Sequence, residues 1–202
     1  MKQQPIRSVI FDLGNVLLNW NTEQVLAGLK LPNTERNLLR KELFEHQDWL
    51  DMDHGKVAET TVTHRVEART GLKPSTIDAA LLAAKNSLLP IPATVELMAE
   101  IHNQGLNLYC LSNMSVETYA HIQHFDFFEL FTGIVISGLE GCMKPDEEIF
   151  YRTLHRYVLS SAATLFIDDS LANIKTAQRL GIPAIHFKRT DNCYASIRGA
   201  IF

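Results

Sequence analysis

Five short runs of apolar and mostly β-branched residues limit most strongly what this chain can fold into. They are Val9-Ile10-Phe11, Leu106 to Leu111, Ile134-Val135-Ile136, Leu165-Phe166-Ile167 and Ala184-Ile185-His186-Phe187. Each is continuous rather than alternating, which marks strands buried on both faces under flanking helices. Helical patterns lie between them. Pro92 is placed to start a helix with an apolar stripe of Val95, Met98 and Ile101 and a stop at Gly105. Ser170 to Leu180 ends in the same way at Gly181, and a third helix, Asp146 to Tyr157, comes after Pro145. Strands alternating with helices predict a Rossmann-like α/β fold, a doubly wound parallel sheet.

Residues 20–88 break the alternation. They carry helix signals in series and no strand: Val62 and Val66 on one face with a stop at Gly71, then a capping-box-like start at Ser75-Thr76-Ile77-Asp78 with Leu81 and Leu82 beyond it. Leu88 to Pro92 reads as a return linker. The expected organisation is a small all-α domain, 20–88, inserted into a core made of 1–19 and 89–202.

Composition narrows the function classes. A chain of 202 residues that is 46% hydrophobic, with net charge −4, has material for one sizeable core and is not of disordered type. Acids outnumber bases 23 to 19, which disfavours a general nucleic-acid partner. Apolar runs such as Ala79 to Ala84 are too short to span a bilayer. One short apolar stretch precedes Asp12, so no signal peptide is expected. Cys110, Cys142 and Cys193 are widely spaced with no CxxC, and read as reduced thiols of a cytoplasmic protein.

The residues just beyond each strand suggest the chemistry. The first run ends in Asp12-Leu13-Gly14-Asn15, the second in Ser112-Asn113, the fourth in Asp168-Asp169, and Lys144-Pro145 lies after the third. In a parallel sheet the carboxyl ends of the strands open onto one crevice, where ligands bind. Taken singly, each of these residues is better explained as a helix cap or a surface group; their recurrence at four separate strand ends favours a shared site. Their types suit phosphoryl transfer. Asp12 is a possible nucleophile forming an aspartyl phosphate. Asp12, Asp168 and Asp169 would repel one another unless a cation joined them, and Mg²⁺ prefers such hard oxygen ligands. The Gly14 carbonyl is a further backbone ligand. Ser112 and Asn113 offer hydrogen-bond donors, and Lys144 a point charge, for a phosphate.

Phe11-Asp12-Leu13-Gly14-Asn15-Val16, Leu111-Ser112-Asn113, Lys144-Pro145 and Asp168-Asp169 with Asn173 resemble the four ordered motifs of the haloacid dehalogenase superfamily. The resemblance covers essentially the whole chain, and residues 20–88 are similar to that superfamily's helical C1 cap. It implies a Mg²⁺-dependent phosphatase with Asp12 as nucleophile. Ser112 and Lys144 then hold the phosphate, Asp169 with Asp168 completes the metal site, and Asn173 organises it from behind. The Asp-Leu-Gly-Asn-Val form also resembles a subgroup that includes a bacterial α-glucose-1-phosphate phosphatase. This makes a sugar 1-phosphate the favoured member of the expected substrate class, small phosphorylated metabolites.

One position departs from the pattern. Phosphatases of the superfamily carry a second Asp two residues after the nucleophile, as acid and base; here that residue is Gly14. Loss of such a group costs about 10²–10⁴-fold in rate. Asp51, Asp53 and His54, beside Gly55 in an expected loop of the inserted domain, are the candidate replacements, with Asp53 or His54 contacting substrate. His121 and His124 are spaced like metal ligands but lack a third partner, His186 reads as a core residue, and Phe125, Phe127, Phe128 and Phe131 as core packing. Two other functions compete. A metal-independent 2-haloacid dehalogenase would use the same nucleophile but has no need of the Asp168-Asp169 pair. A catalytically weak phosphoryl-binding regulator fits the glycine at position 14.

Overall fold

The computed structural model describes residues 4–202. All five apolar runs form strands: β1 (Ser8–Phe11), β2 (Asn107–Ser112), β3 (Gly133–Ile136), β4 (Thr164–Asp168) and β5 (Ala184–His186). They pair in parallel in the order β3-β2-β1-β4-β5. The chain runs outward from β1 to β3, then returns to place β4 on the other side of β1. The direction of winding therefore reverses beside β1, which makes its carboxyl end the switch point of the sheet.

Both faces are covered, as the continuous apolar runs require. Val9 and Phe11 face a cluster with Leu97, Met98, Ile101, Ile122 and Ile197, while Ile10 points the other way toward Phe150, Phe166, Ile174 and Ala177. The phenylalanines around residue 128 join the first cluster and stack, with Phe127 and Phe128 centroids 4.6 Å apart. The three cysteines are unpaired and buried. Among the described residues, no helix is long and apolar enough to cross a membrane.

Between β1 and β2 come α1 (Thr22–Gly28), α2 (Asn33–Leu39), α3 (Gln47–Asp53), α4 (Glu59–Thr70), α5 (Pro74–Asn86) and α6 (Pro92–Asn103). A π-helical turn, Arg40–Phe44, continues α2. The segment from α1 to α5 has an apolar cluster of its own, centred on Leu26, Leu39, Leu43, Val62, Val66 and Ile77. Beyond β2 the helices are α7 (Val116–Ile122), α8 (Ser137–Glu140), α9 (Glu147–Arg156), α10 (Leu171–Arg179) and α11 (Asp191–Ile201).

Three expectations need correction. The start of α5 is Pro74, with Lys73 at the N-cap and no side-chain cap. Proline at the first helical position needs no N–H partner and already has helical φ, so the Ser75 box is superfluous. Asp78 instead accepts a hydrogen bond from Thr63 Oγ1 at 2.8 Å, joining α5 to α4. Second, Asp51 and Asp53 are helical, not in a loop, and His54 is the C-cap of α3. Met52 anchors this helix in the apolar cluster, and the buried Asp48 is paired with Arg65 and Arg69. Third, His186 is half-buried rather than core, because β5 is an edge strand; its Nε2 lies 2.9 Å from the Asp169 carbonyl oxygen.

Candidate active site

Asp12 lies just after β1, Ser112 ends β2, Lys144 lies beyond α8, and Asp168 ends β4, so the parallel register delivers all four to one edge of the sheet. Lys144 is the centre of the arrangement. Only 2% exposed, its ammonium donates to Asp12 Oδ1 at 2.8 Å, Asp168 Oδ2 at 2.7 Å and the Leu111 carbonyl at 2.7 Å. All three of its protons are thereby used. Burial alone would lower its pKa, but Asp12 and Asp168 outweigh that and hold it above its usual range.

Two buried carboxylates share that one ammonium. Asp168 also accepts from the Ser170 backbone N–H at 2.7 Å and from Asn173 Nδ2 at 3.0 Å. Asn173 thus holds Asp168 from α10 through both carboxylate oxygens. Asp169 is less buried, and Asn15 Nδ2 donates to its Oδ2 at 3.2 Å. Asn15 reaches it from a left-handed backbone conformation, φ 55°, which asparagine tolerates better than most residues. Burial pushes the Asp12 carboxyl up to about 6, against the pull of Lys144, and Asp168 adds to the rise. Asp169 is raised too, by burial first and by Asp168, with Asn15 opposing.

Oxygen atoms of Asp12, Asp168 and Asp169 all lie within 4.8 Å of one another. Three carboxylates against one ammonium leave an excess of two negative charges in a poorly hydrated crevice. A divalent cation with a preference for oxygen ligands fits this donor set and removes the excess.

The carboxylates open into a cavity of about 580 Å³ whose lining includes Asp12, Gly14, Ser112, Asn113, Lys144 and Asp169. Ser112 is nearly fully buried at its edge. Asn113 is otherwise engaged than expected: its side-chain amide donates to the Lys144 carbonyl at 2.8 Å and accepts from the Lys144 N–H at 2.9 Å. This reciprocal pair orients Lys144 and leaves one of the two Nδ2 protons of Asn113 free.

The inserted segment also contributes to the lining of the cavity. Asp53 and His54 both line it, although His54 Nε2 donates to the Gly141 carbonyl at 2.9 Å. Burial pushes the Asp53 carboxyl up to about 7, partly offset by the Ser115 backbone N–H. Trp20 and Trp49, with Leu50, Leu88, Met114 and Met143, supply an apolar wall. The two indoles stack with centroids 5.4 Å apart. Neither tryptophan stands out in the sequence, since they meet only when α3 folds back over the segment after β1. His121 and His124 are engaged elsewhere, with Asn86 and with the backbone of α7.

The parallel sheet carries a carboxylate–lysine cluster at its switch point, and the chain belongs to the haloacid dehalogenase-like hydrolases. The family model of haloacid dehalogenase-like hydrolases matches residues 6–181. The chain is 29% identical over 184 residues to a sesquiterpene phosphatase of Aspergillus oryzae, covering 89% of each protein. It is similar in fold to a family enzyme from Bacteroides thetaiotaomicron, solved in complex with magnesium and inorganic phosphate. The TM-score is 0.72 at 22% identity, covering 92% of this chain and 96% of that one. An L-2-haloacid dehalogenase from Xanthobacter autotrophicus shares the fold more distantly, with a TM-score of 0.67 at 19% identity over 98% of this chain and 84% of that one.

Proposed function

We propose that this hydrolase is a Mg²⁺-dependent phosphatase of small phosphorylated metabolites, with Asp12 as nucleophile. The observation that carries the reading is the excess of carboxylate around Lys144. A metal-free dehalogenase has no use for Asp169 beside Asp12 and Asp168. Asp12, Asp168, Asp169 and the Gly14 carbonyl would hold the cation. When bound, Mg²⁺ neutralises phosphate charge and leaves phosphorus open to attack. Lys144 fixes the Asp12 carboxylate through Oδ1, which leaves Oδ2 for attack in line with the leaving oxygen. Ser112 donates its hydroxyl to a phosphoryl oxygen, and Asn173 and Asn15 keep Asp168 and Asp169 in place. Residues 20–88 act as a cap over the core of 1–19 and 89–202, contributing Trp49, Leu50, Asp53 and His54 to the cavity.

The wall of Trp20, Trp49, Leu50, Leu88, Met114 and Met143 supports a phosphomonoester with an apolar body rather than the sugar 1-phosphate suggested by the motif. A sugar body would set its hydroxyls against this apolar surface, an unfavourable pairing. The relative from Aspergillus oryzae, a sesquiterpene phosphatase, agrees with that preference. The test is a panel of isoprenoid, aryl and sugar phosphates assayed with Mg²⁺ and with EDTA. Turnover that needs Mg²⁺ and disappears in Asp12→Asn, with an unchanged circular dichroism spectrum, is expected. Halide release from 2-haloacids in EDTA would overturn the reading.

A further inference from the structure

The phosphatase reading leaves one step without a residue. When the Asp12–phosphorus bond forms, the departing oxygen must take a proton, and the position beside Asp12 that would supply it is Gly14. A Cβ built on Gly14 would lie 4.0 Å from Asp12 Oδ2, with no other atom within that distance apart from its chain neighbours, so the place of the missing acid is open. The charged or titratable groups that line the cavity are Asp12, Asp53, His54, Lys144, Asp146 and Asp169. Asp12, Lys144 and Asp169 belong to the carboxylate–lysine cluster. Asp146, next after Lys144-Pro145, is the residue before α9. His54 Nε2 is bound to the Gly141 carbonyl. The Asp53 carboxyl makes no hydrogen bond or ion pair with another side chain; its partner is the Ser115 backbone N–H, and it lines the same cavity as Asp12.

The backbone around Asp53 is held unusually firmly for a residue of an inserted segment. The buried Ser137 hydroxyl donates to the Asp53 carbonyl and accepts from the Met114 N–H at 2.9 Å. His54 is tied to Gly141 just beyond α8. Gly55 then packs backbone to backbone on Gly138: a Cβ there would come within 2.3 Å of the Gly138 carbonyl oxygen, and its φ is +76°. Gly138 in turn packs on Met114, where a Cβ would meet the carbonyl oxygen at 2.8 Å. Three layers of backbone thus clamp the end of α3 to α8 and to the turn after β2. Such precision is needed by a group that must meet a reacting atom.

We propose that Asp53 is the general acid and base of the reaction, supplied by the inserted helices in place of the residue absent at Gly14. This rests on the phosphatase reading above. In the first half-reaction the Asp53 carboxyl gives its proton to the leaving oxygen as the phosphorus–oxygen bond breaks and the Asp12–phosphorus bond forms. The alcohol departs and Asp53 is left as carboxylate. In the second, that carboxylate takes a proton from water as the water oxygen bonds to phosphorus. The Asp12–phosphorus bond breaks, phosphate leaves, and both aspartates return to their starting states. The elevated pKa of Asp53 is consistent with a group still partly protonated near neutrality.

The experiment compares the wild-type protein, Asp53→Asn and Asp53→Asn/Gly14→Asp with Mg²⁺ on p-nitrophenyl phosphate and on an isoprenoid phosphate, with the first turnover resolved by rapid mixing. p-Nitrophenolate leaves without a proton, so Asp53→Asn should keep its burst of nitrophenolate yet turn over slowly. Its first turnover of the alkyl phosphate should fall about 10²–10⁴-fold. An acid restored at Gly14 should recover much of that loss. Equal loss on both substrates, or no recovery in the double variant, would mean that Asp53 only supports the fold and would overturn the proposal. A wild-type protein inert toward both substrates would instead remove the phosphatase reading on which it stands.

Discussion

Replacing Lys144 by methionine tests the physical basis of the site more directly than any activity assay. The substitution keeps an unbranched chain one atom shorter and removes the ammonium with its charge and three hydrogen bonds. Asp12 Oδ1, Asp168 Oδ2 and the Leu111 carbonyl then lose their shared donor inside a crevice where Asp12 is 7% and Asp168 0% exposed. Breaking a buried ion pair by removing one partner costs about 3–5 kcal/mol, because the remaining charge is left uncompensated. In a chain of this length that corresponds to a fall in Tm of about 6–20 °C. The cost must also depend on pH in a definite direction. Asp12 is pushed up to about 6 even with Lys144 beside it. Without the ammonium it holds its proton to still higher pH, so the variant loses stability relative to wild type as pH rises from 5 to 8. Urea unfolding monitored by circular dichroism, in EDTA so that only protein groups face the carboxylates, measures both effects. A penalty below 1 kcal/mol at pH 8, or one that does not shrink on acidification, would show that Lys144 does not neutralise Asp12 and Asp168.

Other perturbations address the inserted helices. Asp53 is pushed up to about 7 from 3.8, so the folded chain holds this proton more tightly than the unfolded one, and the group costs stability as pH rises between those values. Asp53→Asn should therefore gain on wild type from pH 4 to 7, by at most about 4 kcal/mol, and a pH-independent difference in unfolding free energy would contradict this. Gly55→Ala should destabilise by about 1–3 kcal/mol, since alanine suffers both from positive φ and from the collision with Gly138; an unchanged Tm would refute the clamp. Trp49→Ala should raise KM for an apolar phosphomonoester about tenfold while leaving inhibition by inorganic phosphate unaltered, and a KM unaffected by the change would reject the apolar wall.

The sheet was legible because buried parallel strands leave an unambiguous signal: every expected run became a strand, and Asp12, Ser112 and Asp168 stand at strand ends as read. The inserted segment was legible only as helical. Asp51, Asp53, His54 and Gly55 have the composition of a turn, and α3 exists because Met52 and the Asp48 pairing with Arg65 and Arg69 hold it. The grip of Asn15 on Asp169, across 154 residues of chain, has no local signature. Nor has the reciprocal pairing of the Asn113 side chain with the Lys144 backbone. Trp20 and Trp49 are ordinary apolar residues in sequence and become neighbours only through tertiary packing.

The reach of one side chain has a consequence for how this molecule is assembled and lost. The Lys144 ammonium comes from beyond β3 and touches a residue after β1, a carbonyl within β2 and the end of β4, at sequence separations of 132, 33 and 24 residues. Four of the five strands must be in register before all of these contacts exist together. A half-formed sheet has two bare carboxylates at its edge and nothing to hold them. The cluster is therefore complete only when these four strands are paired, and enzyme activity can be read as a gauge of that pairing.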